Sequence, residues 1–411
     1  MASSLSRDDI EILLTAPSFL ANPYPVFARL REEAPVYWSD AWNCWLVTPY
    51  EDNLAIFRDP EHFGNGGRFN GIFNNLSAPL REELSALDHH FVRAGGIVHS
   101  DPPAHTRLRK LVHMAFTPRV IRDMTGQIDA TVAELLDRVQ DRGEMDVIQD
   151  LAYPLPATVI ARMLGVPVQD IDRFKQWSFD VLQFQTTGQA TPETLRRSQS
   201  ALVAMRAYLK QLADGRRAEP RDDLMTALVK AEDDGSRLTE DEMLATCVTL
   251  MIAGHETTTN LIANALLTLL RNPDQMEHLR ADRSLMPGVI DEALRFESPI
   301  QRNRRVVRGD TTFRGTDMRE GQVLLQMLGA ANRDPRIFPN AETFDITRDP
   351  NPHIAFGFGI HFCLGAPLAR LEAPSALNAI LDRMPGIRLA GGPLQWESSI
   401  MRGLHALPVV F

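Results

Sequence analysis

Cysteine is scarce. The 411-residue chain has three, Cys44, Cys247 and Cys363, far apart and odd in number. That excludes a disulfide framework and fits a reducing compartment. Long apolar runs are missing too: the longest uncharged apolar stretch, Leu244 to Gly254, falls well short of the ~20 residues that a membrane span needs. Met1 to Asp9 carries Arg7, Asp8 and Asp9 and no apolar run, so neither a signal peptide nor an anchor is expected there. Positive charge is in deficit, 43 Lys and Arg against 53 Asp and Glu for a net −10, which argues against nucleic acid as a partner. Glycine and proline, 25 and 27, are at ordinary levels and exclude collagen-like and disordered classes. What remains, 44% hydrophobic and 23% charged, is a globular protein expected in the cytoplasm. Its length lies beyond the ~250–300 residues at which one hydrophobic core usually stops growing.

Helical periodicity dominates the chain. Thr239 with Glu242 forms a capping box that opens a helix able to run to Asn272-Pro273. Its middle is apolar nearly all round, so it should cross an interior. Ile121, Met124, Ile128, Val132, Leu135 and Val139 mark one buried helical face, with Gly143 as a stop. A further helix is expected over about Met286–Phe296, and another over about Pro367–Arg383. Strand signals are few: a hairpin at Pro35–Trp38 and Cys44–Val47, pieces at Thr311–Phe313, Thr316–Met318 and Val323–Met327, and a short ending. Gly64 to Gly96, rich in Gly and Asn, reads as a long loop with at most one short helix. The fold class is therefore mainly α with a minor β-rich part, the latter at about 35–50 and 306–330 plus the C-terminus.

One segment carries chemistry: Phe356-Gly357-Phe358-Gly359-Ile360-His361-Phe362-Cys363-Leu364-Gly365. Three glycines bracket a single cysteine at the mouth of a helix. Glycine lets backbone approach a flat ligand, and N–H groups at a helix entrance favour a thiolate. A lone cysteine is more often a buried core residue. Structural zinc wants four ligands, and only His361 and His353 are near. The whole ten-residue pattern resembles the haem-binding signature of the cytochrome P450 family and matches it at every fixed position. In that family Cys thiolate ligates the haem iron, a role that falls here on Cys363, with Phe356, Gly357, His361 and Gly365 in the same cradle.

Three further motifs follow the family's order. Glu292 and Arg295 stand three residues apart on one helix face; with Arg348 they resemble the family's buried structural pair and its partner. Ala253-Gly254-His255-Glu256-Thr257-Thr258 sits midway along the long apolar helix. A glycine there costs ~1 kcal/mol relative to alanine, and an acid among Leu, Met and Ile costs more. The segment resembles the oxygen-activation motif. There Ala253 and Gly254 let the helix approach the haem, Thr257 is the alcohol that organises water and steadies bound dioxygen, and Glu256 is the acid of the proton relay. His255 reads as a supporting residue. Asp101-Pro102-Pro103-Ala104-His105-Thr106-Arg107-Leu108-Arg109 opens a helix with proline in its first turn. The resemblance makes His105 and Arg109 haem-propionate contacts, with His361 and, of two adjacent arginines, Arg305 rather than Arg304. Pro102 to Arg122 lacks Asp and Glu, a local basic patch suited to an acidic electron donor.

The resemblance covers nearly the full chain, so residues 1–411 are expected to form a single P450 haem domain, one triangular α-rich unit. It implies a haem b monooxygenase inserting one oxygen atom from O2 into a mainly apolar small molecule. No flavin or iron–sulfur reductase module is visible, so electrons should come from NAD(P)H through a separate ferredoxin and its reductase. A peroxide-driven peroxygenase and a non-catalytic haem sensor are the rivals, and the Glu256–Thr257 pair argues against both. Substrate contacts are expected from Gly64–Gly96, Phe174–Phe184, Thr249, Ala253, Ile300, Gln301, Ile400 and Met401. Terpenoid, polyketide, fatty-acid and aromatic substrates remain open.

Overall fold

The expected capping box is present. In the computed structural model the Thr239 hydroxyl accepts from the Glu242 N–H at 3.2 Å, and the Glu242 carboxylate accepts from the Thr239 N–H at 2.9 Å. Two orphan donors are satisfied at once, and one unbroken helix, Glu240–Arg271, follows (the long helix). The structure describes residues 6–94, 96–186, 191–233, 235–396 and 400–411. Among them no helix is long and apolar enough to cross a membrane.

Contacts divide the chain into two units. The first holds residues up to Gly64, Val132–Ala152 and Thr257–Phe411, and the second holds Asn65–Thr131 and Tyr153–Glu256. The division falls inside the long helix.

The first unit carries the larger sheets. Five strands run in the order Val36–Ser39, Cys44–Val47, Val323–Gln326, Asn303–Val307, Phe63–Gly64. The opening hairpin pairs Trp38 with Trp45 and turns through Asn43, whose φ of 49° is left-handed. A three-stranded sheet joins Arg388–Leu389, Pro408–Val410 and Glu144–Asp146. Helix Met286–Phe296 forms as expected, and helix Ala366–Arg383 (the Cys-loop helix) begins just after the thiol segment. Asn264 ties the C-terminal half of the long helix to this unit, donating to the carbonyls of Glu297 and Arg402 at 3.1 and 2.8 Å.

The second unit is helical: Ala104–Ala115, Pro154–Met163, Ile171–Thr186, Pro192–Ala218 and the first half of the long helix. Three expectations are corrected here. The Gly64–Gly96 stretch is not a loop with one short helix but contains helices Asn70–Asn74, Ala78–Glu83 and Ser85–Asp88 and a π-helical turn His89–Arg93. Buried Phe73, Leu84, Leu87 and Phe91 anchor them, and tertiary burial stabilises helices too short to form alone. The stripe from Ile121 to Val139 is not one helix. It breaks at Met124 into Pro118–Asp123 and Thr125–Asp137, because the Thr125 hydroxyl donates to the Arg122 carbonyl at 2.8 Å and offers the backbone another partner. Helix Ala104–Ala115 starts after both prolines, with Pro103 as its N-cap. The Asp101 carboxylate instead accepts from the Asn65 and Gly66 N–H groups at 2.7 and 3.0 Å.

Candidate functional site

Of the three cysteines, Cys44 and Cys247 are buried and Cys363 is part-exposed. Burial pushes the first two thiols up to about 12, so they are inert at neutral pH. The segment around Cys363 is held by backbone geometry. Gly357 and Gly359 have φ of 72° and 71°, the left-handed region. The Cys363 N–H donates to the Phe356 carbonyl at 2.9 Å and closes the loop. A Cβ on Gly359 would lie 2.8 Å from the Phe57 carbonyl, and one on Gly357 would lie 3.5 Å from the Phe57 ring. Phe57 is thus the wall that excludes a side chain at Gly359 and touches Gly357, where the left-handed φ is what favours glycine. Gly365 is the N-cap of the Cys-loop helix, with its open side 3.9 Å from Cys363 Sγ.

Apolar side chains around the thiol remain uncovered: Phe358, Ile360 and Phe362 are 40%, 37% and 42% exposed. Such a cluster is unusual in a folded interior-forming segment. Among the described residues no group of three His, Cys, Asp or Glu is arranged to hold a metal ion. A single accessible thiol amid uncovered apolar side chains fits a metal that arrives in a flat apolar carrier, as haem does.

Arg304 and Arg305 point to opposite faces of their strand, as pleating demands. Arg305 is 4% exposed and lies 5.3 Å from the Phe57 ring, the same ring that walls Gly357. Arg304 lies on the other face, where its charge acts on Cys44. The structure therefore brings Arg305, Gly357 and Gly359 together around Phe57, next in the chain to His361, Cys363 and Gly365.

The Glu292 cluster underpins that side. Arg295 makes a bidentate pair with Glu292, both bonds 2.7 Å, and both residues are 0% exposed. Arg295 also donates to the carbonyls of Asn332, Ala341 and Thr343 at 3.1, 2.8 and 3.0 Å. Arg348 and Asn351 reach the same carboxylate, each at 3.1 Å at the nearest. With these donors in place the buried charges are compensated.

In the second unit His105 is buried on helix Ala104–Ala115, with Arg109 one turn on. Burial, and then the Arg109 charge, lowers its pKa and favours neutral imidazole. Mid-way along the long helix, Thr249, Ile252, Gly254, Glu256 and Thr257 are part-exposed and Ala253 is exposed, although the flanking turns are buried. The helix therefore presents an open face where the oxygen-activation resemblance lies. A Cβ on Gly254 would meet Ile160 at 3.4 Å, so the neighbouring helix approaches closely there. His255 faces away: Nδ1 is 2.8 Å from the Met251 carbonyl and the ring meets Tyr153 edge-on at 5.4 Å. Burial lowers its pKa to about 4, a supporting residue held neutral.

Two residues within the stretches expected to meet substrate are held by the scaffold. Gln301 is 2% exposed and donates to the Ser298 carbonyl at 2.8 Å and to Tyr24 at 3.4 Å. Its amide belongs to the scaffold. Phe174 is fully buried against Trp177 and Tyr208, with ring centroids 5.1 and 4.9 Å away. The side chain of Phe184 lies outside those described. Ile300 and Met401 are part-exposed partners in a β-bridge. The basic patch is partly neutralised, because Arg107 pairs with Glu242 and Arg119 lies 3.8 Å from Asp123. Sequence reading missed Phe57, which carries no motif, and Glu372, a lone acid on the apolar stripe of the Cys-loop helix.

Comparison with known proteins is concordant. The Cytochrome P450 family model matches residues 75–384. Cytochrome P450 monooxygenase PikC of Streptomyces venezuelae is 41% identical over 401 residues, 95% of this chain and 91% of that protein. The biotin biosynthesis cytochrome P450 of Bacillus subtilis (strain 168) is 40% identical over 399 residues, 96% and 97% of the two chains. Among solved structures, P450BioI in complex with a hexadec-9Z-enoic acid-ligated acyl carrier protein superposes with a TM-score of 0.88 at 38% identity, covering 96% of this chain and 99% of that one.

Proposed function

This chain belongs to the cytochrome P450 family, an oxidoreductase family that incorporates oxygen, and from that premise we propose that it oxygenates a mainly apolar small molecule of secondary metabolism at Cys363-ligated haem b. The observation that carries this reading is the accessible Cys363 thiol among uncovered Phe358, Ile360 and Phe362. The haem would supply two-electron activation of O2 and transfer of one oxygen atom to the substrate. His105, Arg109, His361 and Arg305 would bind its carboxylates, a task suited to planar guanidinium forks. Ala253 leaves open space beside the long helix. Thr257 holds a hydrogen bond at its hydroxyl, and Glu256, next to it, holds and passes on a proton.

Electrons are proposed to come from NAD(P)H through a separate ferredoxin and its reductase. The carboxylate-free stretch Pro102–Arg122 supports an acidic donor. The solved relative with an acyl carrier protein supports adding a carrier-bound fatty acyl chain to the candidate substrates, beside free polyketides and terpenoids.

The test has two arms. Haem-loaded protein, reduced under CO, should show the red-shifted Soret band of thiolate ligation, and Cys363→His should abolish it; an unchanged band would refute the ligand. Thr257→Ala should keep haem and substrate binding while diverting electrons to hydrogen peroxide. Undiminished coupling, or full turnover with peroxide alone, would overturn the relay. A haem spin-state screen with free and carrier-bound ligands then identifies the substrate class.

A further inference from the structure

Arg402 is the buried neighbour of two residues expected to meet substrate. It is 4% exposed, whereas Ile400 and Met401 before it are part-exposed. Its Nε donates to the Glu297 carboxylate at 2.9 Å, and its terminal nitrogens donate to the carbonyls of Leu20 and Ala21 at 2.8 and 3.0 Å. The Trp396 ring centroid lies 3.4 Å from the guanidinium carbon, a stacked arrangement that suits a planar cation. Glu297 is fixed in turn, accepting from the Tyr24 hydroxyl at 2.7 Å with Arg333 at 3.6 Å. All of these residues lie in the first unit.

The pairing that carries Ile400 and Met401 is short. Met401 faces Ile300 in an isolated antiparallel bridge. The Gln301 N–H donates to the Ile400 carbonyl at 2.9 Å, and the Arg402 N–H donates to the Pro299 carbonyl at 2.8 Å. So small a ladder is marginal by itself. Successive side chains alternate between faces, so a slip of one residue would exchange the places of Ile400 and Met401. Such a slip would also draw the Arg402 charge away from Glu297 and leave both buried ions uncompensated. The long helix holds the same turn: Asn264 donates to the Arg402 carbonyl at 2.8 Å, and a Cβ on Gly403 would lie 2.7 Å from Asn260 Oδ1. Asn260 stands three residues beyond Thr257.

On the reading that Ile400 and Met401 meet substrate, we propose that Arg402 is a positioning residue, a register pin that holds those two side chains as a fixed apolar wall beside the turn of the long helix that follows Thr257. A ligand that needs a wall populated only part of the time binds more weakly by that fraction, and a pinned wall removes the loss.

The experiment compares the haem-loaded parent with R402A, R402K and M401W, using imidazole and 4-phenylimidazole as probes read by the shift of the haem Soret band. Imidazole needs the iron alone, whereas the added phenyl ring also needs the wall. R402A should weaken 4-phenylimidazole about fivefold, the factor that one net hydrogen bond supplies, and leave imidazole within about twofold. R402K keeps the charge but has neither the fork nor the stack, and should lie nearer R402A than the parent. Hydrogen exchange should quicken at the amides of Gln301 and of position 402 and stay unchanged around Glu292. Equal weakening of both probes, unchanged 4-phenylimidazole binding, R402K indistinguishable from the parent, or unchanged exchange at both amides would each overturn the proposal. Should R402A fail to fold, R402K decides by the same readouts. If M401W leaves 4-phenylimidazole binding unchanged, the reading that Met401 meets substrate fails, while exchange still decides whether Arg402 pins the register.

Discussion

The two units differ in the titratable groups they bury. The first keeps charges and pairs them: Glu292 with Arg295 and Arg348, and Glu297 with Arg402 and Arg333, at 2.7 and 3.1 Å and at 2.9 and 3.6 Å respectively. The second buries ion pairs too, such as Arg216 with Asp223, but adds a set of neutral rings. His90, His105 and His255 are all at most 2% exposed, and burial lowers the pKa of His90 to about 3 and of His255 to about 4. A paired cluster is insensitive to mild pH change and fragile to the loss of one partner. A buried neutral histidine is the reverse, since it tolerates substitution by another neutral group but resists protonation only at a cost in stability.

The largest effect should come from breaking a pair. Glu292→Ala leaves Arg295 buried with its charge uncompensated, which should cost ~3–5 kcal/mol. Little haem-loaded protein should be recovered, and normal haem content would show that the cluster is dispensable. Next comes acid. An unfolded histidine takes a proton below pH ~6.5, but His255 does so only near 4. Its stabilisation is therefore complete above about 6.5 and is lost as pH falls toward 4, by about 3 kcal/mol at 1.36 kcal/mol per pKa unit. Hydrogen exchange followed down that range should show second-unit amides losing protection before first-unit amides. Simultaneous loss would erase the contrast.

A smaller effect sharpens it. His255→Gln removes the titrating ring, so the acid transition should move to lower pH, while neutral-pH stability falls by ~1 kcal/mol with the loss of the Tyr153 contact. An unmoved acid midpoint would assign the acid sensitivity to other groups. The smallest effect belongs on the surface. Arg119 and Asp123 are 3.8 Å apart with side chains 86% and 71% exposed, so Arg119→Ala should change stability by less than ~0.5 kcal/mol.

Legibility in the sequence followed the range of the forces involved. The capping box at Thr239, the largely apolar middle of the long helix and the glycine-bracketed Cys363 are local patterns, and local hydrogen bonding and sterics realise them as read. The Gly64–Gly96 stretch was illegible because its short helices are stabilised by distant apolar partners, not by their own propensity. Glu372 had a signal, since helical periodicity places it on the apolar stripe of its helix, but composition alone treats a lone glutamate as a surface residue.

By itself the sequence determined the helix-rich fold class, the lone cysteine of the glycine-bracketed segment and the identity of the groups around it, because each is encoded within a turn or two of chain. Only the tertiary structure decided that Arg305 rather than Arg304 shares the Phe57 wall with the thiol segment, that Gln301 and Phe174 serve the scaffold, and that Glu372 meets Thr258. Those outcomes depend on which strand pairs with which and which helix faces meet, and such choices are made by burial summed across the whole chain.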